Sequence, residues 1–423
     1  MNTTLTSKTM TRNSLAAAIA IAIALTVPSI AQAAAKAWTC TNSYWDYASC
    51  WSSSGVPSSA DNVYVGAVSG GDSVLKIDGY TGNAYANGLT VDSTIATPTV
   101  QQTGGALSIS VGGIGERIGY SGTGAYSQTG GTHTVSGYLE MGWYAGSHGA
   151  YSLSGGTLNL QGDPSSDSLI VANYGTADFN QSGGAVNVGN TLVAGTRSGG
   201  AGTYELGGAG SLTAGQEFIG RSGTGTFTQN GGTHIVSGQL TLGSNIYGQA
   251  TYGTGRYYLN GGALSADSEV IGEQGVGQLA QNGGTNTVAG DLMLGGGDPN
   301  LPGTYQLYGG TLTVHGNIVT GSGHSTLEVD SGTLNVDGNI DVVNFTVGGP
   351  GRVGSYTLSG SRSLNATYEN IGEYLSGYSG GHGTMSQTGG TNSGNFLNLG
   401  LGGGGAVGAY HLSGTGVVSM ESE

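Results

Sequence analysis

The chain has 423 residues, 86 of them Gly, with 8% charged and 37% hydrophobic residues and a formal net charge of −15. Glycine at this level without a G-X-Y period excludes collagen, and regularly recurring Val, Ile, Leu, Tyr and Thr with little charge exclude a disordered tail or a Gly/Ser linker. The acidic balance argues against nucleic acid as a partner, because phosphate binding needs a basic face.

Residues 1–33 read as a secretory signal peptide. Lys8 and Arg12 form a basic start, an apolar run follows from Leu15 to Val27, and Ala31-Gln32-Ala33 offers small residues for cleavage. The run is short for a membrane span, and no second long apolar stretch follows, so no transmembrane segment is expected in the mature chain. Its removal leaves 8 basic against 25 acidic residues, a net of −17. Export makes a disulfide between Cys40 and Cys50 the expected state of the two cysteines. A metal site there lacks the further Cys or His ligands it would need. Residues 34–100, with Trp38, Trp45 and Trp51, are expected to form an N-terminal cap and the leading coils.

From 101 to 423 one short phrase recurs: a large apolar residue, a spacer, Gln or Leu, a spacer, then Gly-Gly or a substitute. Its first glycine falls at Gly104, Gly130, Gly155, Gly183, Gly208, Gly231, Gly261, Gly283, Gly309, Gly360, Gly389 and Gly414, with Ser331 in one copy. Twelve steps cover 310 residues, about 26 each, and the last repeat is incomplete at Glu423. Such a period signals a solenoid. Each unit alternates apolar and polar residues in three short runs separated by Gly, Ser and Asn, with no helical stripe. The expected fold is therefore all-β, a right-handed parallel β-helix with three strands per coil. Length variation falls after the third strand, so loops gather on one edge. The longest runs from Gly243 to Gly255, and its Tyr247 and Tyr252 mark a possible contact loop.

The stretch "IGRSGTGTFTQNGGTHIVSGQLTLG" from Ile219 resembles the β-strand repeats of bacterial autotransporter passengers and related secreted surface proteins, and "WSSSGVPSSADNVYV" from Trp51 resembles the segment that often precedes them. The resemblance implies a β-helical architecture at a Gram-negative cell surface, with little bearing on activity, since such rods carry many functions. The translocating barrel of classical autotransporters is not in this sequence, so the expectation is either that the chain continues beyond Glu423 or that a separate export or anchoring protein is a partner.

Two positions covary along the repeats. Gln128, Gln229 and Gln281 accompany His133, His234 and Asn286, whereas Leu153, Leu259 and Leu307 accompany Leu158, Leu264 and Leu312; Val186, in the Gln181 unit, departs from the pattern. Strand parity turns both positions inward, so each Gln is expected to hydrogen-bond the His or Asn across one corner of the coil. His133 and His234 lie four coils apart, roughly 19 Å at strand spacing, too far to share a metal ion. The recurring aromatics, Tyr126 through Tyr410, read as a register-fixing stack, since Leu and Met replace them in some units. Outward threonines such as Thr132, Thr134, Thr285 and Thr287 form a row like those that bind ice or crystal surfaces, interrupted by Ala185, Ala263, Gly210 and Arg362.

Catalytic residue types are sparse. Arg117, Arg197, Arg221 and Arg352, with Glu116, Glu273 and Glu373, are placed in loops after the third strand and read as solvating charge. "GGGDPNLPG" at Gly295 is a lone partial match to calcium-binding repeats. The expected function is a secreted or surface-exposed, non-enzymatic structural and adhesive rod without cofactor or metal, contacting glycans, extracellular matrix or neighbouring cells. A carbohydrate-active enzyme on the same fold, a lyase or hydrolase, is the alternative.

Overall fold

Alternating side chains along short strands leave a backbone that pairs with the turn of chain above and below, and this is what the computed structural model shows. It describes residues 34–53, 55–110, 115–162, 167–246, 251–402 and 404–422. Segment 1–33, read from the sequence as a signal peptide, and Tyr247 lie outside the described residues. Residues 35–423 form one compact unit, a parallel β-helix of about 15 turns in which 59% of residues are strand.

Outside one irregular coil the chain follows the three expected strand positions, the second and third fused into one strand in some coils such as Ala185–Ala194, and each position sits on its counterpart one coil away. Thr123–Gln128 pairs in parallel with His148–Leu153, aligning Tyr126 with Tyr151 and Gln128 with Leu153. Thr132–Val135 pairs with Thr157–Leu160, aligning His133 with Leu158. Leu139–Met141 pairs with Asp167–Val171, aligning Leu139 with Leu169. The result is three vertical faces around a buried interior.

Glycine fills most positions where the third strand turns into the next first strand, with Ala177 and Ser325 in two coils. A Cβ on Gly255 would strike the carbonyl oxygen of Ile219 one coil below. The "T-G-T-F" and "T-G-R-Y" segments therefore cannot carry a side chain at this point. Inside, Tyr126, Tyr151, Phe179, Tyr204, Phe227 and Tyr257 form a continuous stack, with adjacent centroids 4.7–4.8 Å apart. That distance is the strand spacing itself, so one register satisfies both hydrogen bonds and rings.

At the N-terminal end, Ala34–Ala37 pairs with Asp61–Val65, and Asn42–Tyr44 pairs with Val74–Ile77, so this segment supplies ladder strands of its own. Cys40 and Cys50 are disulfide-bonded. Trp38, Trp45 and Trp51 are buried, with Trp51 edge-on to both others at 5.1 and 5.2 Å.

One irregularity interrupts the stack. The strand Ile340–Val347 begins on the third sheet, pairing Ile340 with Ile318. It then continues without a loop onto the first sheet, where Asn344–Val347 pairs with Thr326–Val329. This extra strand advances the repeat by one face. Ser363–Glu373, which begins as a second strand by sequence, therefore pairs along Ile340–Val347. Val353–Leu358, a first strand by sequence, pairs only with the following coil and opens a separate three-stranded sheet.

Candidate functional site

Two arrangements stand out, one inside the coil stack and one on its surface. The inner one begins with Gln128. Its side-chain carbonyl accepts the Tyr151 hydroxyl at 2.7 Å, and its amide donates to the Thr157 carbonyl at 3.1 Å, both in the next coil. Gln102, Gln181, Gln229, Gln281 and Gln387 repeat the carbonyl contact with Tyr126, Tyr204, Tyr257, Tyr305 and Tyr410. Where the coil below carries Leu153 or Leu206, the stacked residue is Phe179 or Phe227; above Leu259 and Leu307 it is Leu279 and Leu327. The choice between Tyr and Phe or Leu is thus dictated by the residue beneath.

Gln128, His133, Gln229, His234, Gln281 and Asn286 are all fully buried. The expected direct contact of Gln with His or Asn is replaced by a bridge: His234 Nδ1 meets the Tyr257 hydroxyl at 2.8 Å, and that hydroxyl donates to Gln229 at 2.6 Å. The tyrosine comes from the next coil, so it is remote from the corner in sequence. On its other side His234 Nε2 lies 2.8 Å from Glu217, and His133 Nε2 lies 2.9 Å from Glu116. Because the Tyr proton goes to Gln, the His Nδ1–H must donate to the Tyr oxygen, and one further proton lies between Nε2 and the carboxylate. Asn286 imitates this geometry, donating to Glu269 at 3.0 Å and to Tyr305 at 3.1 Å. Asn392 does the same between Glu369 and Tyr410 at 2.8 and 2.9 Å.

Glu116 was expected in a solvated loop; it is fully buried in the strand Gly115–Ile118, one coil below His133. The third sheet explains the departure at Val186. The positions aligned with Glu116 run to Leu139, Leu169 and Leu192 before reaching Glu217. The coil preceding Gln181 carries Leu169 in place of Glu, and Val186 replaces His. Burial pushes Glu269 and Glu369 up to about 7, opposed by the Asn hydrogen bond.

The second arrangement lies on the outer face and edge of the third sheet. Arg117, in a strand rather than a loop, stands 4.8 Å over the Tyr120 ring and 5.2 Å over Trp143 one coil on. Tyr120 and Trp143 stack at 6.2 Å, and Tyr120 meets Tyr144 edge-on at 5.0 Å. Tyr144 is 50% exposed and Tyr174, in the following coil, 40%. Arg117 also reaches Glu140 at 3.5 Å and the Tyr138 hydroxyl at 3.4 Å. Arg221 holds Asp167 through two bonds of 2.7 and 2.8 Å, and Arg197 lies 5.5 Å over Tyr174. Burial raises Glu140 to about 7, partly offset by Arg117. Three of the arginines read as solvating charge, Arg117, Arg197 and Arg221, therefore sit against aromatic faces here, whereas Arg352 lies elsewhere, over Tyr308. Strand stacking brings Arg117, Glu140 and Trp143 together from adjacent coils.

The outward Thr positions stack as expected in part. Thr132, Thr157, Ala185, Ser211 and Thr233 form one row. Ser211, not Gly210, occupies it, and the Arg362 side chain instead turns to the Val336 carbonyl. The neighbouring row becomes an amide ladder, with Asn187 donating to Asn159 at 2.8 Å. Tyr252 is 53% exposed.

The fold places this chain among parallel β-helix proteins. Compared with known proteins, it matches no family model, no curated protein and no solved structure. Among the described residues no helix is long and apolar enough to cross a membrane.

Proposed function

We propose that the chain is an exported, non-enzymatic adhesive rod of the autotransporter-passenger kind, which binds acidic glycans through the aromatic and arginine face of its third sheet. The observation that carries this reading is the Arg117–Tyr120–Trp143–Tyr144 cluster. Exposed aromatic edges offer apolar surface to sugar C–H faces, and guanidinium groups offer charge-assisted bonds to carboxylates. Arg117 and Arg221 are paired with Glu140 and Asp167, whereas Arg197 has no carboxylate within ion-pair distance among the described residues, which leaves its guanidinium for an acidic group of a ligand. Weak contacts repeated along successive coils add through effective concentration, which suits an extended polymer.

The same face supports the second reading. Burial raises Glu140 to about 7 beside Arg117 and Asp167, in the range where a carboxyl can give or take a proton near neutral pH, as polysaccharide-cleaving enzymes require. One sample decides between them. Beads carrying the mature chain are tested for attachment to alginate and to cells, and the same protein is assayed for polysaccharide cleavage. Attachment lost in Trp143→Ala and retained in Glu140→Gln, without cleavage, is expected. Cleavage abolished by Glu140→Gln would overturn the adhesive reading.

A further inference from the structure

The one-face advance at Ile340–Val347 leaves two strand edges facing each other without a ladder between them. Thr333–Val336 pairs downward with Thr311–Val314, and Val353–Leu358 pairs upward with His382–Gln387. Between them lies a cleft of about 660 Å³ lined by Thr333, Asn335, Ser355, Tyr356, Thr357 and Arg362. Its ends are bridged only by side chains: Ser331 donates to the Val353 carbonyl at 3.3 Å, and the Arg362 guanidinium donates to the Val336 carbonyl. Leu334 is only partly buried here, whereas its counterpart Leu312 in the coil below is fully buried.

Tyr356 supplies an independent sign. It is 6% exposed and lines the cleft. Tyr126, Tyr151, Tyr204, Tyr257, Tyr305 and Tyr410 each give their hydroxyl to a Gln in the strand beneath. The strand beneath Tyr356 supplies none, because the advanced repeat has set a first strand over a second one.

We infer that this cleft is a binding site for an extended peptide of a partner protein, taken up by β-strand addition. The unpaired edges offer main-chain donors and acceptors on both sides, which only a polypeptide in strand conformation matches along its length. The column pattern sets the side chains: an apolar residue packs under Tyr356 and over Leu334, and a Gln two positions later accepts the Tyr356 hydroxyl. Arg362 occupies the Val336 carbonyl that the incoming strand would use and so acts as a plug.

The test uses the mature chain and an acetylated, amidated peptide of sequence Gly-Thr-Phe-Thr-Gln-Asn, which has the Φ-x-Gln spacing, followed by hydrogen exchange. The peptide is expected to slow exchange at 333–337 and 353–359. Replacing its Gln by Leu is expected to weaken binding several-fold, N-methylation at alternate residues to abolish it, and Arg362→Ala in the protein to strengthen it. Protection confined to the open edge at 417–422, binding indifferent to N-methylation, or no binding would each overturn the proposal. So would amides at 333–337 and 353–359 that are already as protected as their neighbours without peptide.

Discussion

The Tyr257 hydroxyl donates to Gln229 across a coil boundary at 2.6 Å, and both side chains are fully buried. The bond ties two successive turns of chain, and a Phe or Leu in place of Tyr257 would leave the buried Gln229 carbonyl without its donor. A one-residue slip between coils would place a polar atom against an apolar neighbour, so the pattern fixes register as well as adding stability.

The Gln181 coil isolates this contact, because Val186 and Leu169 replace its other polar partners. Gln181→Leu and Tyr204→Phe each orphan a buried group and are expected to cost about 1–3 kcal/mol. The double variant is expected to cost less than the sum of the two, since it reproduces the Leu153–Phe179 pairing. A double-mutant cycle by urea unfolding checks this; additive losses would show that the two side chains do not act together.

Glu→Gln is expected to have opposite signs in two coils. In Glu217→Gln the buried His234 loses its carboxylate, and a cost of about 3–5 kcal/mol is expected. In Glu269→Gln the partner is Asn286, which still finds a carbonyl acceptor. Glu269 rises from its ordinary 4.5 to about 7 on folding. A raised carboxyl contributes its full stability below about 4.5 and loses it as pH climbs through 7, at a cost of about 3 kcal/mol by pH 8. Glu269→Gln is therefore expected to stabilise at pH 8 and to change little at pH 4. Thermal unfolding of the two variants across pH 4–8 reads both signs.

The disulfide closes a short loop at one end of a stack whose coils touch only their neighbours. Its removal in Cys40→Ser/Cys50→Ser is expected to cost about 2–3 kcal/mol locally. Hydrogen exchange is expected to quicken at 34–53 and to stay unchanged at 123–242. Uniform quickening would mean that the stack unfolds as one unit.

The coil, its period and its strands were legible because alternation and Gly-Gly corners recur every 26 residues or so. The Gln/Leu alternation was legible for the same reason. Its partners were not: Glu217 precedes His234 by one coil, and Tyr257 follows by another, so neither shares a unit with the pair. Reading the aromatics as interchangeable hid the fact that Tyr follows Gln. Glu116 lies in "GERIG", where polar neighbours disguise a buried strand. The advance at Ile340–Val347 was invisible because the step from Ser331 to Gly360 falls within the ordinary range of unit lengths. The surface face was hidden because Arg117 comes from one coil and Glu140 and Trp143 from the next.

Tryptophan fluorescence during an alginate oligomer titration tests the central claim most directly. The chain has four tryptophans; Trp38, Trp45 and Trp51 are buried at the N-terminal end, so a change on binding reports Trp143. The account predicts a saturable change whose midpoint falls as the oligomer lengthens, and which disappears in Trp143→Phe and weakens in Arg117→Ala. An unchanged signal at every oligomer length, with beads that still adhere, would contradict it and move the contact surface elsewhere on the protein.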